Sequence, residues 1–400
     1  MDRSNVGCEM KKKLSLMVDS LAGAACAMSD DIFDNPETGL AEYHACGLLT
    51  SYLESAGFAV EKGIYGLDTA FRTVYECGAG GPSIGLLCEY DAIEGLGHGC
   101  GHHIQGPAIV AAAAALKAVF DGCPYKLVVY GTPAEETVGG KILMLEKGAF
   151  RDIDVALMTH ASPTSTVDVK SMAMQSYEVT FHGKSAHAAM NPEMGRSALD
   201  ALLLACSGVE FMREHVRDEA RMHYTIVSAG GPSNVVPAEA EGEFGIRSYD
   251  TEYVMSMAER LKNIFKGAAL MADVSYEIRE GTFFKAKIPL LSLNDLIMEN
   301  AVAVGMPTIR PPREKTGSTD FGNVMYEIPG SCIRSAFVPE GTPAHSQDYL
   351  DAGKSQAAHD ALANAAKVLA LTAYDLISDP AKMAKVRDEF NAKRFGKQTV

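Results

Sequence analysis

The 400-residue sequence has no apolar run approaching the ~20 residues that span a bilayer, so no transmembrane segment is expected. Its opening residues, MDRSNVGCEMKKK, lack the apolar stretch and small-residue cleavage site of an export signal. Positive charge is scarce. Lys and Arg number 36 against 51 Asp and Glu, a formal net charge of −15, and that field repels polyanions, which argues against nucleic acid as a partner. No internal repeat, low-complexity tract or long linker interrupts the chain. The nine cysteines are odd in number and scattered, which points to reduced thiols in the cytosol and away from a disulfide framework.

What is present is a globular composition over a length that suits two domains better than one. Residues 14–28 and 39–56 carry apolar side chains at helical spacing, as does 107–120, whose Pro107 suits a first helical turn. Short apolar runs at 86–87, 127–130 and 155–158, bounded by Gly, Pro or polar residues, read as buried strands between such helices. Near residue 173 the pattern changes. Strands with period-two alternation are expected at 177–181, 222–230, 240–249 and 272–279, with helices at 194–214 and 251–271 among them, a β-α-β-β-α-β order. The α/β pattern then resumes and closes with a helix over 353–378. The reading is a larger α/β domain of residues 1–173 and 285–400, interrupted by a small α+β domain of residues 174–284.

The densest chemical signal is Gly95-Leu96-Gly97-His98-Gly99-Cys100-Gly101-His102-His103. Glycines let the backbone turn sharply, while Cys100 and His102 offer a soft thiolate and an imidazole. A phosphate loop fits poorly because no Gly-Lys-Ser/Thr ending follows. Glu135 and Glu136 end the segment Gly131-Thr132-Pro133-Ala134-Glu135-Glu136 that follows the apolar run 127–130, where open α/β sheets place their active sites. Adjacent side chains diverge, so one carboxylate can bind a metal while the other stays free as a base. His160 ends another strand-like run, and His345 sits in the turn-rich Gly341–Ser346 loop. Singly, each has an ordinary reading as a solvated acid or a satisfied polar group. Jointly, Cys100, His102, Glu136, His160 and His345 make a transition-metal ligand set, with Glu135 left to activate water.

Seven segments then occur in a familiar order: EYDAIEGLGHGCGHH, GTPAEETVGGK, DVALMTH, FHGKSAHAAMNP, GGPSNVVPAEAEGEFGIR, GSTDFGNV and GTPAHSQDY. Over roughly residues 10–390 they resemble the aminoacylase/hippurate hydrolase/glutamate carboxypeptidase family of metal-dependent amidohydrolases, in the branch of aminobenzoyl-glutamate hydrolase and the β-alanyl-lysine dipeptidases. The resemblance implies a zinc-peptidase-like catalytic domain, its mixed sheet flanked by helices, with an inserted ferredoxin-like lid that dimerises. It implies that Cys100 is shared between metals, with His102 and Glu136 on one ion and His160 and His345 on the other, and that Glu135 is the general base. It also implies that His187 reaches an active site, often the partner subunit's, and that Asn234 and Arg247 hold the substrate's carboxylate. Two positions depart from the family pattern. His103 stands where Asp or Asn is usual and could itself be a ligand or base, and His160 is followed by Ala161-Ser162, where relatives often have proline directly.

The expected protein is a cytosolic homodimeric hydrolase using one or two zinc or manganese ions to cleave a C–N bond in a small acyl-amino acid or dipeptide-like substrate. Three alternatives stay open on the sequence: an aminohydrolase releasing ammonia from an aromatic or other unusual amine, a catalytically silent ligand-binding relative, and a cysteine nucleophile at Cys100.

Overall fold

A computed structural model describes residues 3–396 of the protein. The chain begins with helices α1 (Arg3–Asp34) and α2 (Tyr43–Ser55), then strands β1 (Ala59–Lys62), β2 (Phe71–Cys77) and β3 (Ser83–Cys88). Next come α3 (His102–Val119), β4 (Tyr125–Gly131), α4 (Gly140–Glu146), β5 (Val155–Ser162) and the two-residue β6 (Thr166–Val167). Then follow β7 (Ala173–His182), α5 (Ala198–Arg213), β8 (Arg221–Ser228), β9 (Glu239–Ser248), α6 (Thr251–Ala272) and β10 (Ser275–Glu280). The last elements are α7 (Leu291–Val304), α8 (Phe321–Glu327), β11 (Gly330–Ala336), α9 (Gln347–Asp351), α10 (Gln356–Ser378) and α11 (Pro380–Phe395). Two compact units result, one running through Lys170 and again from Lys287, the other Ser171–Ala286.

The first unit is built on a seven-stranded sheet in the order β1-β2-β4-β3-β5-β11-β6. Its middle four strands, β4, β3, β5 and β11, are parallel, and the outer pairings are antiparallel. Alternate residues of the central strands enter different cores. Leu86, Leu127, Val129, Val155 and Leu157 join α1, α3 and α10 on one face. Leu87, Val128, Tyr130, Ala156 and Met158 join α4 and α8 on the other. Strands buried on both faces read as unbroken apolar runs, which is why β3, β4 and β5 stand out in the sequence. Strand β2 (FRTVYEC) mixes polar and apolar residues and β11 (GSCIRSA) is interrupted by Ser331, Arg334 and Ser335, so neither carries that signature.

Helix α3 lies across the sheet under α1 and α10, and its run Ala111–Ala115 lets these backbones approach closely. It starts at His102, so Pro107 sits inside the helix and not in its first turn. The missing N–H there costs one hydrogen bond, to the carbonyl of His103.

The second unit is a β-α-β-β-α-β layer with strand order β10-β7-β9-β8, all antiparallel. Every second residue of β7 is buried against α5 and α6, whose N-termini are capped by Ser197 and Asp250. Strand β8 is an edge, and seven of its eight residues are exposed. Among the described residues no helix is long and apolar enough to cross a membrane.

Candidate metal centre

In the first unit's sheet, β3 is followed by β4 on one side and then by β5 on the other. The order therefore switches at β3/β5, and the carboxyl ends of the parallel strands open a crevice there. Every conspicuous side chain of the first unit comes from those ends. Cys100 and His102 lie on the loop that leaves β3 and starts α3, Glu135 and Glu136 follow β4, His160 lies in β5, and His345 lies on the loop after β11.

Backbone geometry sets these side chains in place. Gly101 caps α3 with φ +85°, and a Cβ there would come within 2.4 Å of the Ala161 Cβ. Both the left-handed conformation and the close approach demand glycine. Gly101→Ala is therefore expected to cost about 1–3 kcal/mol and to displace Cys100 and His102. Thermal unfolding and metal titration of the variant check this, and an unchanged unfolding midpoint with unchanged metal binding would contradict it. Ala134 (φ +58°) and His345 (φ +60°) also adopt the left-handed conformation without being glycine. The Ala134 N–H donates to Glu42 Oε1 at 2.9 Å, and the His345 N–H donates to the Gly99 carbonyl at 3.0 Å. Non-glycine residues held in that region cost energy and mark places where surrounding contacts impose a shape.

The side chains converge. Potential ligand atoms of Cys100, His102 and His160 lie within 4.8 Å of one another, as do those of Cys100, Glu136 and His345, and of His102, Glu135 and Glu136. Cys100 Sγ is 3.5 Å from His160 Nε2, and Glu136 Oε1 is 3.9 Å from His102 Nε2 and 3.7 Å from His345 Nε2. His102 is fully buried. Its Nδ1 faces Asp91 Oδ1 at 3.0 Å, and because a carboxylate only accepts, Nδ1 carries a proton. Burial opposes a charge on the ring, but Cys100 and Asp91 raise its pKa well above the ordinary value, so a metal at Nε2 would displace the second proton. His102 Nε2 and Glu136 Oε1 are buried without any hydrogen-bond partner. Thiolate, imidazole and carboxylate donors with unmatched lone pairs fit a divalent transition metal.

Charge and burial shape the titrating groups. Burial drives the His160 imidazole well below its ordinary value, helped by Arg334, its partner in the β5/β11 register. His160 is therefore neutral, as a ligand must be. Burial pushes the Cys100 thiol up to about 12, so only a bound cation would make it a thiolate near neutral pH. Burial, then Glu89 and Asp320, push the Glu135 carboxyl well above the ordinary range. Lys141 stands beside that group, fully buried, paired with Glu89 and with Asp320 at 2.7 Å.

The sequence singled out neither Asp91, Glu89, Lys141 nor Asp320. Each lies inside a segment that carried the resemblance (EYD, GGK, STDF), but a single acid after a strand has no pattern of its own. Their importance lies in convergence from separate segments. His103, open as a ligand or base, is neither. It is buried, with Nε2 2.9 Å from the Gly353 carbonyl and its ring edge-on to Phe33, and belongs to no metal-capable group. The following Ala161 supplies its carbonyl to His160 Nδ1 at 2.8 Å, which leaves Nε2 as that ring's lone pair.

His187, Asn234 and Arg247 belong to the second unit. His187 is exposed and forms a bridge with Val235, and the next N–H, from Ala188, donates to the Asn234 carbonyl at 2.9 Å. Arg247 is half-buried on β9, opposite Met174 and Arg221.

Residues 84–375 match Peptidase family M20/M25/M40. The chain belongs to this family. It is 35% identical to the Xaa-Arg dipeptidase of Mus musculus, over 96% of this chain and 93% of that protein. It is 31% identical to a p-aminobenzoyl-glutamate hydrolase subunit of Escherichia coli (strain K12), over 90% of this chain and 91% of that one. The aminobenzoyl-glutamate utilization protein of Klebsiella pneumoniae shares the fold, with a TM-score of 0.71 at 20% identity over 91% of this chain and 98% of that chain. As a member of the M20 family, the protein is a hydrolase of carbon–nitrogen bonds.

Proposed function

We propose that the protein is a divalent-metal-dependent amidohydrolase that cleaves the C–N bond of a small N-acyl amino acid or dipeptide-like substrate, with Glu135 as general base. The observation that carries this reading is the convergence of Cys100, His102, Glu136, His160 and His345 around unpartnered lone pairs, with Glu135 beside them. The two curated relatives are named for a dipeptide and for p-aminobenzoyl-glutamate, both of which contain such a bond. The aminohydrolase alternative rested on His103, and His103 lies outside the cluster.

Cys100, His102, Glu136, His160 and His345 would hold one or two zinc or manganese ions, Cys100 as a thiolate. Metal bound there supplies Lewis-acid polarisation of the scissile carbonyl and acidifies the attacking water. Glu135, less than 4.8 Å from His102 and Glu136, takes the water's proton and returns it to the leaving amine. Asp91 keeps the His102 ring in the orientation and tautomer a ligand needs. His187 stabilises the oxyanion, Asn234 helps to hold the substrate, and Arg247 takes its carboxylate in a bidentate fork.

The inserted unit also suits two-fold pairing. Tyr224, Ile226 and Val227 on edge strand β8, and Leu203 and Phe211 on α5, are exposed apolar side chains. We place a homodimer contact on this face and have it deliver His187 to the partner's site. His187→Ala should then lose turnover while keeping metal and dimer. Mixing His187→Ala subunits with Glu135→Gln subunits should restore part of the activity, because each heterodimer assembles one intact site. A mixture as inactive as its parents, despite proven subunit exchange, contradicts delivery in trans. Nine unpaired cysteines agree with a cytosolic setting.

The test of the reaction is a metal-loaded screen over acyl-amino acids, β-alanyl dipeptides and aromatic amines, with both products quantified. Equal release of an acid and an amine from an amide is expected. Ammonia as the only amine product, released from an aromatic amine, would overturn the reading.

A further inference from the structure

Glu89 follows the last residue of β3 and is almost completely buried, at 1% exposure. Its two oxygens have different surroundings. Oε1 is held by the Lys141 ammonium, which is itself tied to Asp320 through both Nζ and its backbone N–H. Oε2 has no hydrogen-bond partner. It lies 3.4 Å from His102 Nε2, which is equally unpartnered, and Nε2 is in turn 3.9 Å from the unpartnered Glu136 Oε1. Asp91 accepts from His102 Nδ1 and so orients the ring with Nε2 towards Glu89.

Three buried side-chain atoms without hydrogen-bond partners, Glu89 Oε2, His102 Nε2 and Glu136 Oε1, therefore follow one another in this space. Lys141 is the ammonium at the centre of a second buried group. Glu89, Glu135 and Asp320 form a tight carboxylate group with one ammonium, Lys141, to offset it. Lys141 satisfies one oxygen of Glu89 and leaves the other aimed at His102.

We propose that Glu89 is a further metal-centre residue, its Oε2 supplying an oxygen donor beside His102 Nε2 and Glu136 Oε1 while Lys141 locks the carboxylate in that orientation. This rests on the metal-dependent reading above and adds a donor outside the Cys100, His102, Glu136, His160 and His345 set. Glu89→Gln keeps the size and an acceptor for Lys141 but removes the charge. It should weaken zinc binding about 10–100-fold in competition with a chromophoric chelator. Because the substitution also takes the charge from the buried pair with Lys141, circular dichroism first confirms that the variant is folded at the temperature of the zinc titration.

A crystal structure of the zinc-loaded wild type gives a readout independent of any variant. Glu89 Oε2 is expected about 2.0–2.2 Å from the ion. Oε2 more than 3 Å from every ion, or unchanged zinc affinity in Glu89→Gln, overturns the proposal and leaves the hydrolase reading intact. A wild type that binds no zinc or manganese would instead sink that reading itself.

Discussion

Glu135→Gln is expected to lower kcat by about 10²–10⁴-fold, the usual worth of a positioned general base, while metal content stays at the wild-type level. The two halves of this expectation come from the turn after β4. The left-handed Ala134, pinned by Glu42, sets the turn that carries both carboxylates to His102. Glu136 lies between His102 and His345, whereas Glu135 also joins the inner group of Glu89 and Asp320. An amide at position 135 fills the same space but takes no proton. The pH profile supplies the sign. Burial and the facing carboxylates raise the Glu135 pKa, and the base works only when ionised. Thus kcat/KM should rise with pH along a limb displaced above the ordinary glutamate value of about 4.3, and Glu135→Gln should abolish that limb. Near-normal turnover in the variant, or loss of metal along with activity, contradicts the assignment.

His102→Ala is expected to remove turnover below detection and to lose at least one equivalent of metal, because His102 sits in two of the metal-capable groups. Asp91→Asn should be milder. Its side chain can still accept from His102 Nδ1, but the charge that holds the ring is gone, and affinity should fall about 10–100-fold. Equilibrium dialysis followed by metal analysis separates the two variants. Wild-type metal content in His102→Ala would show that the cluster is not the metal centre.

The legibility of these parts in the sequence followed their chemistry. Strands β3, β4 and β5 were readable because both faces are buried and each carries an unbroken apolar run. Strand β11 was not, since Ser331, Arg334 and Ser335 find polar partners inside the fold, Arg334 with Asp168 at 3.1 Å and Ser331 with Asn294 at 2.6 Å. Pro107 misled for a related reason, since α3 absorbs a proline that the pattern placed at its start. Within the site, Cys100 and His102 announced themselves by residue type and glycine context. Glu89 and Lys141 did not, because 52 positions separate them and only the packing of α4 beneath the sheet brings them together. His103 shows the opposite error. It shared the right composition and the right loop, but α3 turns it away, towards Phe33 and Gly353.

The most direct measurement is hydrolysis of an N-acyl amino acid or dipeptide by enzyme stripped with a chelator and then titrated with zinc or manganese. Stripped enzyme should be inactive, and activity should return in proportion to metal bound, up to one or two equivalents per protomer. Full activity in the stripped enzyme, as a Cys100 nucleophile would give, contradicts the account.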